Sequence, residues 1–116
     1  MYKKSVFSVA IIENGKPSTK EVNGMIWGSY GFYKEDGEYY PTHIPSGFSL
    51  PIPSHLVNYC KTAKKAKEVI MVYKDFFGEN VPLAIKHNRF FDYDTPYINA
   101  SGEIETQLKD RLRELF

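Results

Sequence analysis

The sequence has a single cysteine, and this scarcity limits the chemistry available to the chain. Cys60 has no second thiol, which excludes an intrachain disulfide and a cysteine pair for zinc or redox chemistry. A lone free cysteine most often behaves as a small buried hydrophobe, and we expect this of Cys60. The three histidines, His43, His55 and His87, lack a second histidine or a carboxylate at the helical spacing of a zinc site. We therefore predict no metal site.

An excess of charge of one sign is also missing. The 15 Lys and Arg residues against 14 Asp and Glu residues give a formal net charge of +1, which provides no overall field for nucleic acid or an anionic membrane. No apolar run approaches the roughly 18 residues of a membrane-spanning helix. The stretch Ser5 to Ile12 lacks the cleavage pattern of a signal peptide. We expect a cytoplasmic protein that contacts neither membrane nor nucleic acid.

Catalytic signatures are absent as well. The sequence contains no nucleophile elbow, phosphate-cradling loop or nucleotide-binding fingerprint. Asp92 and Asp94 are two residues apart and could form an acid pair, although capping of turns is the more common role of Asp in a segment rich in Asp, Thr and Pro. We therefore predict a protein that is not an enzyme and needs no cofactor.

What is present predicts a folded chain. Apolar residues make up 42% of the 116 residues, which is the size of one domain, residues 1–116. The clearest element is a helix over Thr62 to Gly78, where Thr62 suits the N-cap and Gly78 the C-terminal end. Its apolar residues recur at steps of three and four: Ala63, Ala66, Val69, Ile70, Tyr73, Phe76 and Phe77. A second helix is predicted over Gly102 to Phe116, with Ser101 as its N-cap.

Strands are predicted on both sides of the long helix. Lys4 to Glu13 has the β-branched composition of a strand partly buried on both faces, and the Asn14-Gly15 turn leads to a return strand. Met25 to Lys34 is interpreted as one strand with two glycines, and Asp36-Gly37 closes the next hairpin. Val81 to Ile85 forms one further strand. The predicted fold class is α+β, a mostly antiparallel sheet with one long helix packed across it and a short C-terminal helix.

The most informative cluster for function lies in the last third of the chain. All three arginines, Arg89, Arg111 and Arg113, occur there, and arginine suits bidentate recognition of phosphate. The aromatic residues of the segment Lys86 to Tyr97 offer faces on which a base could stack, and Asn88 and Asn99 could contact a base or a ribose. The alternative is that the aromatic side chains belong to the core and that the arginines pair with carboxylates of the last helix: Glu103, Glu105, Asp110 and Glu114.

A resemblance to known proteins rests on two stretches and on the arginine-bearing final helix. These stretches are Thr-His-Ile-Pro-Ser-Gly-Phe at Thr42 to Phe48 and Thr-x-Lys-Lys-Ala-Lys at Thr62 to Lys67. The chain resembles small bacteriophage proteins and, in length and order of elements, the Thoeris anti-defence sponge family. The resemblance implies an α/β protein that forms dimers or higher oligomers and sequesters a cyclic ADP-ribose signal without degrading it.

The resemblance also implies which residues contact the ligand. An aromatic residue, an amide and arginines of the C-terminal helix carry over to Phe90 or Phe91, Asn99, Arg111 and Arg113, with Arg89 as a fourth basic candidate. We therefore expect a non-enzymatic anti-defence protein of the host cytoplasm that binds a small nucleotide as a homo-oligomer. The alternative is a phage inhibitor that blocks a host defence protein by direct contact.

Overall fold

The computed structural model describes residues 1–53, 55–56, 60–90 and 92–116, with the side chain of residue 93 also outside the description. The elements in chain order are β1 (Lys3–Glu13), β2 (Lys16–Trp27), β3 (Tyr30–Glu35), β4 (Glu38–His43), β5 (Phe48–Ser49), α1 (Ala63–Phe77), β6 (Leu83–Asn88), β7 (Tyr93–Ile98) and α2 (Gly102–Glu114). The predicted α+β class is confirmed: the strands are antiparallel, α1 is the long helix and α2 the short C-terminal one.

Strands β1 to β5 form one antiparallel sheet in chain order. Two of its turns have both central residues in the left-handed region, Asn14 and Gly15 at φ 53° and 75° and Asp36 and Gly37 at φ 52° and 78°. This geometry matches the right-handed twist of the flanking strands, and Asn-Gly and Asp-Gly tolerate it best. Both predicted hairpins are therefore confirmed.

The prediction of one strand from Met25 to Lys34 is wrong. The chain turns at Gly28, whose φ is +61°, and Ser29, so that β2 and β3 are antiparallel neighbours. The Ser29 N–H donates to the carboxylate of Glu79, 2.8 Å away, just beyond the end of α1. The turn is thus held by a residue 50 positions later, which the local sequence does not reveal.

One face of β1 is deeply buried, whereas the other is partly buried only at Ala10, so the predicted partial burial of both faces holds for part of the strand. Phe7 and Val9 are buried, whereas Val6 and Ile12 on the opposite face are 55% and 44% exposed. The reason is the place of β1 in the sheet. It is the first strand in the order and lies at the edge away from α1, which contacts β3 and β4.

Helix α1 forms the main core against β3 and β4. Val69, Ile70 and Tyr73 have no exposed surface, and each such side chain contributes about 1.5–3 kcal/mol by leaving water. Thr62 caps the helix, since its hydroxyl accepts the Lys65 N–H at 3.1 Å, and Gly78 ends it at φ +62°. Both predicted caps are confirmed.

Helix α2 packs on α1 through Leu108 and Leu112, which are both buried. Ser101 caps its first turn, as predicted, with its hydroxyl 3.4 Å from the Ile104 nitrogen. Cys60 is 1% exposed in the same core, which confirms its interpretation as a buried hydrophobe. In the described part of the chain, neither helix is long and apolar enough to cross a membrane.

A second apolar cluster lies on the other face of the sheet, around Phe7, Val9 and Tyr33. Gly24 provides the space for it, because a Cβ there would lie 2.2 Å from the Phe32 carbonyl oxygen and 3.0 Å from the Phe7 ring. The loop after β4 folds back onto β1, where the Ala10 N–H donates to the Gly47 carbonyl at 2.8 Å. The sheet is therefore curled around this cluster.

Strands β6 and β7 form a separate two-stranded sheet. The strand predicted over Val81 to Ile85 occurs as β6, but it begins at Leu83 and extends to Asn88, and β7 was not predicted. Ile98 is buried and Leu83 partly buried against the core, so the hairpin is anchored at its base. Its turn, which includes Arg89, Phe90 and Asp92, is at the opposite end.

Candidate ligand-binding site on the β6–β7 hairpin

Two of the predicted ligand residues, Arg89 and Phe90, follow each other at the start of the β6–β7 turn. They line one open hollow of about 750 Å³ together with four further residues: Lys86, His87, Asn88 and Thr95. Phe90 is 96% exposed. A fully exposed phenyl ring next to a guanidinium group offers both a stacking surface and a positive charge to a ligand.

The hairpin places these groups through its register. Lys86 is opposite Thr95, and Asn88 is opposite Tyr93, so Lys86, Asn88 and Thr95 belong to one face of the two-stranded sheet. The Asn88 side-chain oxygen accepts the Phe90 N–H at 3.0 Å, which shapes the start of the turn. The positions of Arg89 and Phe90 therefore follow from a local side-chain-to-backbone hydrogen bond.

His87 is opposite Asp94, so it alternates with Lys86 and Asn88 along the strand while it still borders the hollow. Its Nδ1 atom is 3.2 Å from the Asp94 carboxylate oxygen, and both side chains are more than half exposed. An exposed pair of this kind contributes at most about 1 kcal/mol. The pair orients two polar groups across the strands, and it leaves Lys86 and Arg89 as the positive charges of the hollow.

The ion pairs separate the three arginines. Arg111 reaches across to Asp75 of α1 at 3.2 Å, and Arg113 pairs with Asp110 of its own helix at 3.0 Å. In the described ranges neither Arg89 nor Lys86 is paired with a carboxylate. Arg89 is therefore the arginine whose charge is available to an external anion.

The other predicted ligand residues lie away from the hollow of the same subunit. Arg111 is beside the Phe76 ring, 5.6 Å from its centroid, on the surface shared by α1 and α2. Asn99 follows β7 at the base of the hairpin, where its N–H donates to the Pro82 carbonyl at 2.7 Å. A six-residue strand places it roughly 17 Å from the turn. Phe91 lies outside the described residues.

Sequence reasoning omitted four lining residues from the predicted site: Lys86, His87, Asn88 and Thr95. The composition of the segment Lys86 to Tyr97, which includes Asn88, indicated a functional cluster. The pairing of β6 with β7 was not recognised. The alternation of side chains along Lys86 to Asn88 could have indicated a strand. With that strand and its partner in register, Lys86 and Thr95 would have been placed together.

A second basic concavity lies on the large sheet. It has a volume of about 560 Å³, and its lining includes Lys4, Asn23, Lys34 and Tyr39. The Lys34 ammonium group is 5.7 Å from the centroid of the Tyr39 ring. This groove differs from the hairpin hollow because it contains no arginine and no fully exposed ring.

Trp27 and the adjacent Gly28 do not form an open aromatic platform. The Lys74 ammonium group lies 3.7 Å from the centroid of the Trp27 ring. The centroid of the Tyr2 ring lies 5.3 Å from that of Trp27, and the two rings are tilted relative to each other. Burial raises the pKa of the Tyr2 hydroxyl to about 12. The ring of Trp27 is thus already in contact with a cation and another aromatic residue.

His43 is buried beside Tyr30, and its Nδ1 is 2.9 Å from the Ser46 hydroxyl. Burial lowers the pKa of the imidazole, which favours its neutral form. The Ser46 hydroxyl is also 3.2 Å from the His43 carbonyl and accepts the Phe48 N–H at 3.3 Å. The pair stabilises the turn that leads to β5. Among the described residues, no group of three or more His, Cys, Asp or Glu side chains could bind a metal ion.

Comparisons of the chain with protein-family models, with curated proteins and with solved structures find no match. The chemistry of the hairpin therefore provides the basis for inferring a function.

Proposed function

We propose that this chain is a non-enzymatic binding protein that sequesters a small anionic nucleotide of the cyclic ADP-ribose type at the β6–β7 hollow. The observation that carries the proposal is Arg89, which has no ion pair among the described residues, next to the exposed ring of Phe90. In this role the protein would be a phage-type anti-defence sponge that removes a signal from the host cytoplasm. Such a function requires affinity and slow release, and it requires no catalytic group.

Each lining residue has a defined task in this proposal. The Arg89 guanidinium binds a phosphate through two parallel hydrogen bonds, and Lys86 supplies a second positive charge. Phe90 stacks on the base, a contact worth about 1–3 kcal/mol. The Asn88 oxygen already accepts the Phe90 N–H, which leaves its amide hydrogens to donate to the ligand.

The openness of the hollow favours an oligomer. A ligand bound only to the turn would remain largely in water, whereas small-molecule sites usually bury most of their ligand. A second subunit that covers the hollow would supply the missing surface. Asn99, Arg111 and Arg113 would join the site only from such a second subunit, since their own positions are elsewhere in the fold.

The test is a titration of the purified protein with cyclic ADP-ribose by isothermal calorimetry. Arg89→Ala and Phe90→Ala should each weaken binding by at least about fivefold, since each removes a contact worth about 1 kcal/mol or more. Native mass spectrometry should show the bound nucleotide, and denaturation should release it with unchanged mass. The double variant Arg111→Ala, Arg113→Ala tests the contribution of a second subunit.

Two results would reject the proposal, the first for the site and the second for the non-enzymatic role. One is undisturbed binding by Arg89→Ala and Phe90→Ala, which would move the site away from the hairpin. The other is release of a hydrolysed nucleotide, which would make the protein an enzyme. Lys16→Ala is a suitable control, because Lys16 is an exposed lysine in the first hairpin of the large sheet.

The second candidate function is direct contact with a host defence protein. The observation that favours it is the exposure of three apolar side chains on the same hairpin, Ile85, Phe90 and Tyr97. Ile85 does not line the hollow, so Ile85→Ala should leave nucleotide binding unchanged. If this variant instead loses an interaction with a purified host protein, while the wild type binds no nucleotide, the contact function is correct.

A further inference from the structure

Strand β1 is a long edge strand whose outer side is largely open. It occupies the first position of the five-stranded sheet and pairs with β2 along all 11 of its residues. On the outer side, the described residues make one backbone hydrogen bond to it, from Ala10 N–H to Gly47 carbonyl. An uncovered edge of this kind is a template for another strand.

The Ala10 bond establishes which backbone groups face outward. Because N–H and C=O groups in an antiparallel strand point to alternate sides, the groups of Lys4 and Val6 face the same side as those of Ala10. The Val6 carbonyl has only a 3.3 Å contact from the neighbouring Ser5 hydroxyl. Toward the C-terminal end the Gly47 turn lies against Ser8 and Ala10, so the open stretch is residues 3–7.

Natural edge strands usually carry charged side chains, lysine above all, or a proline on the edge, which discourages pairing. Here the middle is Ser5 and Val6, and the Val6 side chain is 55% exposed. The lysines, Lys3 and Lys4, are confined to the beginning of the strand. Lys3 and Lys4 therefore protect only the beginning of the open stretch, and Ser5, Val6 and Phe7 carry neither a charge nor a proline.

We propose that a second copy of this chain pairs with the outer edge of β1, antiparallel about a two-fold axis at Ser5, to give a continuous ten-stranded sheet. In this register Lys4 is opposite Val6 of the second copy, and Lys3 is opposite its Phe7. No like charges are directly opposite, Lys4 of each copy is a diagonal neighbour of Lys4 of the other, and four backbone hydrogen bonds form. The proposal concerns a contact between ligand-free copies, and it is separate from the subunit contact that would cover the hairpin hollow.

The contact is small by the standard of stable dimers, which bury about 800 Å² per partner. The expected dissociation constant is accordingly on the order of 100 μM. Sedimentation equilibrium of the ligand-free chain between about 10 μM and 1 mM should show a monomer–dimer equilibrium across that range.

Val6→Pro is the most specific test. The Val6 N–H points outward, so proline removes no bond to β2 but eliminates two of the four bonds between the copies. Dimerisation should weaken by at least tenfold. Val6→Lys is the second variant, since it places a lysine next to Lys4 of the other copy. The matched control is Ile12→Lys, which adds the same charge to the same face of β1 beyond the Gly47 contact.

The expected result is loss of the dimer in Val6→Lys and Val6→Pro and its retention in Ile12→Lys, with unchanged circular dichroism. A wild-type chain that stays monomeric to 1 mM overturns the proposal, and so does a dimer that tolerates both Val6 variants. Because all samples are free of nucleotide, failure here is distinct from failure of the hairpin site. Nucleotide binding by Val6→Lys, measured separately, shows whether the hairpin functions in a monomer.

Discussion

The sheet covered by α1 and the β6–β7 hairpin differ in how their side chains are used. In the covered sheet, aromatic and aliphatic residues of β3 and β4 are enclosed by the helix, and Tyr30, Ile70 and Tyr73 have no exposed surface. Among the described residues of the hairpin, the core includes Leu83 and Ile98, which lie at its base. Stability is concentrated in the first region, and groups able to contact a partner are concentrated in the second. Substitutions in the two regions test this division, and substitutions at the contacts of the sheet refine it.

The largest effect is expected from Ile70→Ala in α1. Ile70 is completely buried, and truncation of such a side chain leaves a cavity that costs about 2–5 kcal/mol. The matched change in the hairpin, Ile85→Ala, should cost below about 1 kcal/mol because Ile85 is already exposed. Urea unfolding measures both values. Equal losses would mean that the hairpin contributes as much to stability as the covered sheet.

A smaller loss is expected from Gly24→Ala in β2. The added methyl would lie 2.2 Å from the Phe32 carbonyl, so the strands must separate at a cost of about 1–3 kcal/mol. The control is Gly102→Ala at the start of α2, where the added Cβ meets open space and the helix tolerates alanine. If thermal unfolding shows Gly24→Ala to be as stable as the control, β2 and β3 do not approach each other as closely at Gly24 as the structure indicates.

Glu79 tests the clamp between α1 and the β2–β3 turn. Hydrogen bonds from Lys74 and from the Ser29 N–H lower the pKa of its carboxyl group. A depressed folded-state pKa stabilises the protein above the ordinary value of 4.5, and the gain disappears as the pH falls through the folded-state pKa. Glu79→Gln should therefore lose up to about 1 kcal/mol at pH 7, and less at lower pH.

The pH dependence of this loss distinguishes the clamp from a general effect of charge. Glu114→Gln removes an exposed carboxylate of α2 that has no ion pair in the described ranges, and it should not change stability. Urea unfolding at pH 7 and pH 3 measures both variants. A Glu79→Gln loss that is the same at the two pH values would show that the carboxylate charge is not involved.

The smallest stability effects are expected from the arginines. Arg89→Ala removes a side chain without an ion pair among the described residues, so the free energy of unfolding should change by less than about 0.5 kcal/mol. Arg111→Ala breaks the bond to Asp75 and uncovers the Phe76 ring, with an expected loss of about 0.5–1 kcal/mol. If Arg89→Ala is the more destabilising change, Arg89 has a structural role and its charge is not reserved for a ligand.

The sequence predicted those elements whose signals are local. Thr62 and Ser101 cap their helices through a hydroxyl that reaches three residues ahead, and the Asn-Gly and Asp-Gly turns favour left-handed backbone by their own residue types. The Gly28–Ser29 turn has neither residue pair, and its hydrogen bond to Glu79 links positions 50 residues apart. This turn was not predicted because the residue that holds it is distant in the sequence.

Strand β7 was missed for a related reason. Asp, Thr and Pro between residues 92 and 96 indicate a turn by composition, and Pro96 disfavours a central strand. A two-stranded sheet leaves one edge of each strand unpaired, where proline is tolerated, so the tertiary pairing with β6 overrides the local preference.

In the candidate site, Arg89 and Phe90 are neighbours in sequence, so their proximity could be predicted without knowledge of the fold. The partner of Arg111, Asp75, could be found only from the packing of the two helices.

The burial of Cys60 gives the chain an intrinsic reporter of opening. Its thiol is 1% exposed, and burial raises its pKa to about 11, so at neutral pH it is almost entirely in the unreactive protonated form. A thiol reagent can modify it only when the core around Leu50 and Ala66 separates. Because no other cysteine is present, the rate of modification in bulk solution records this one event. Labelling in the presence and absence of a ligand would show whether binding at the hairpin changes the rate at which the core opens, without any engineered probe.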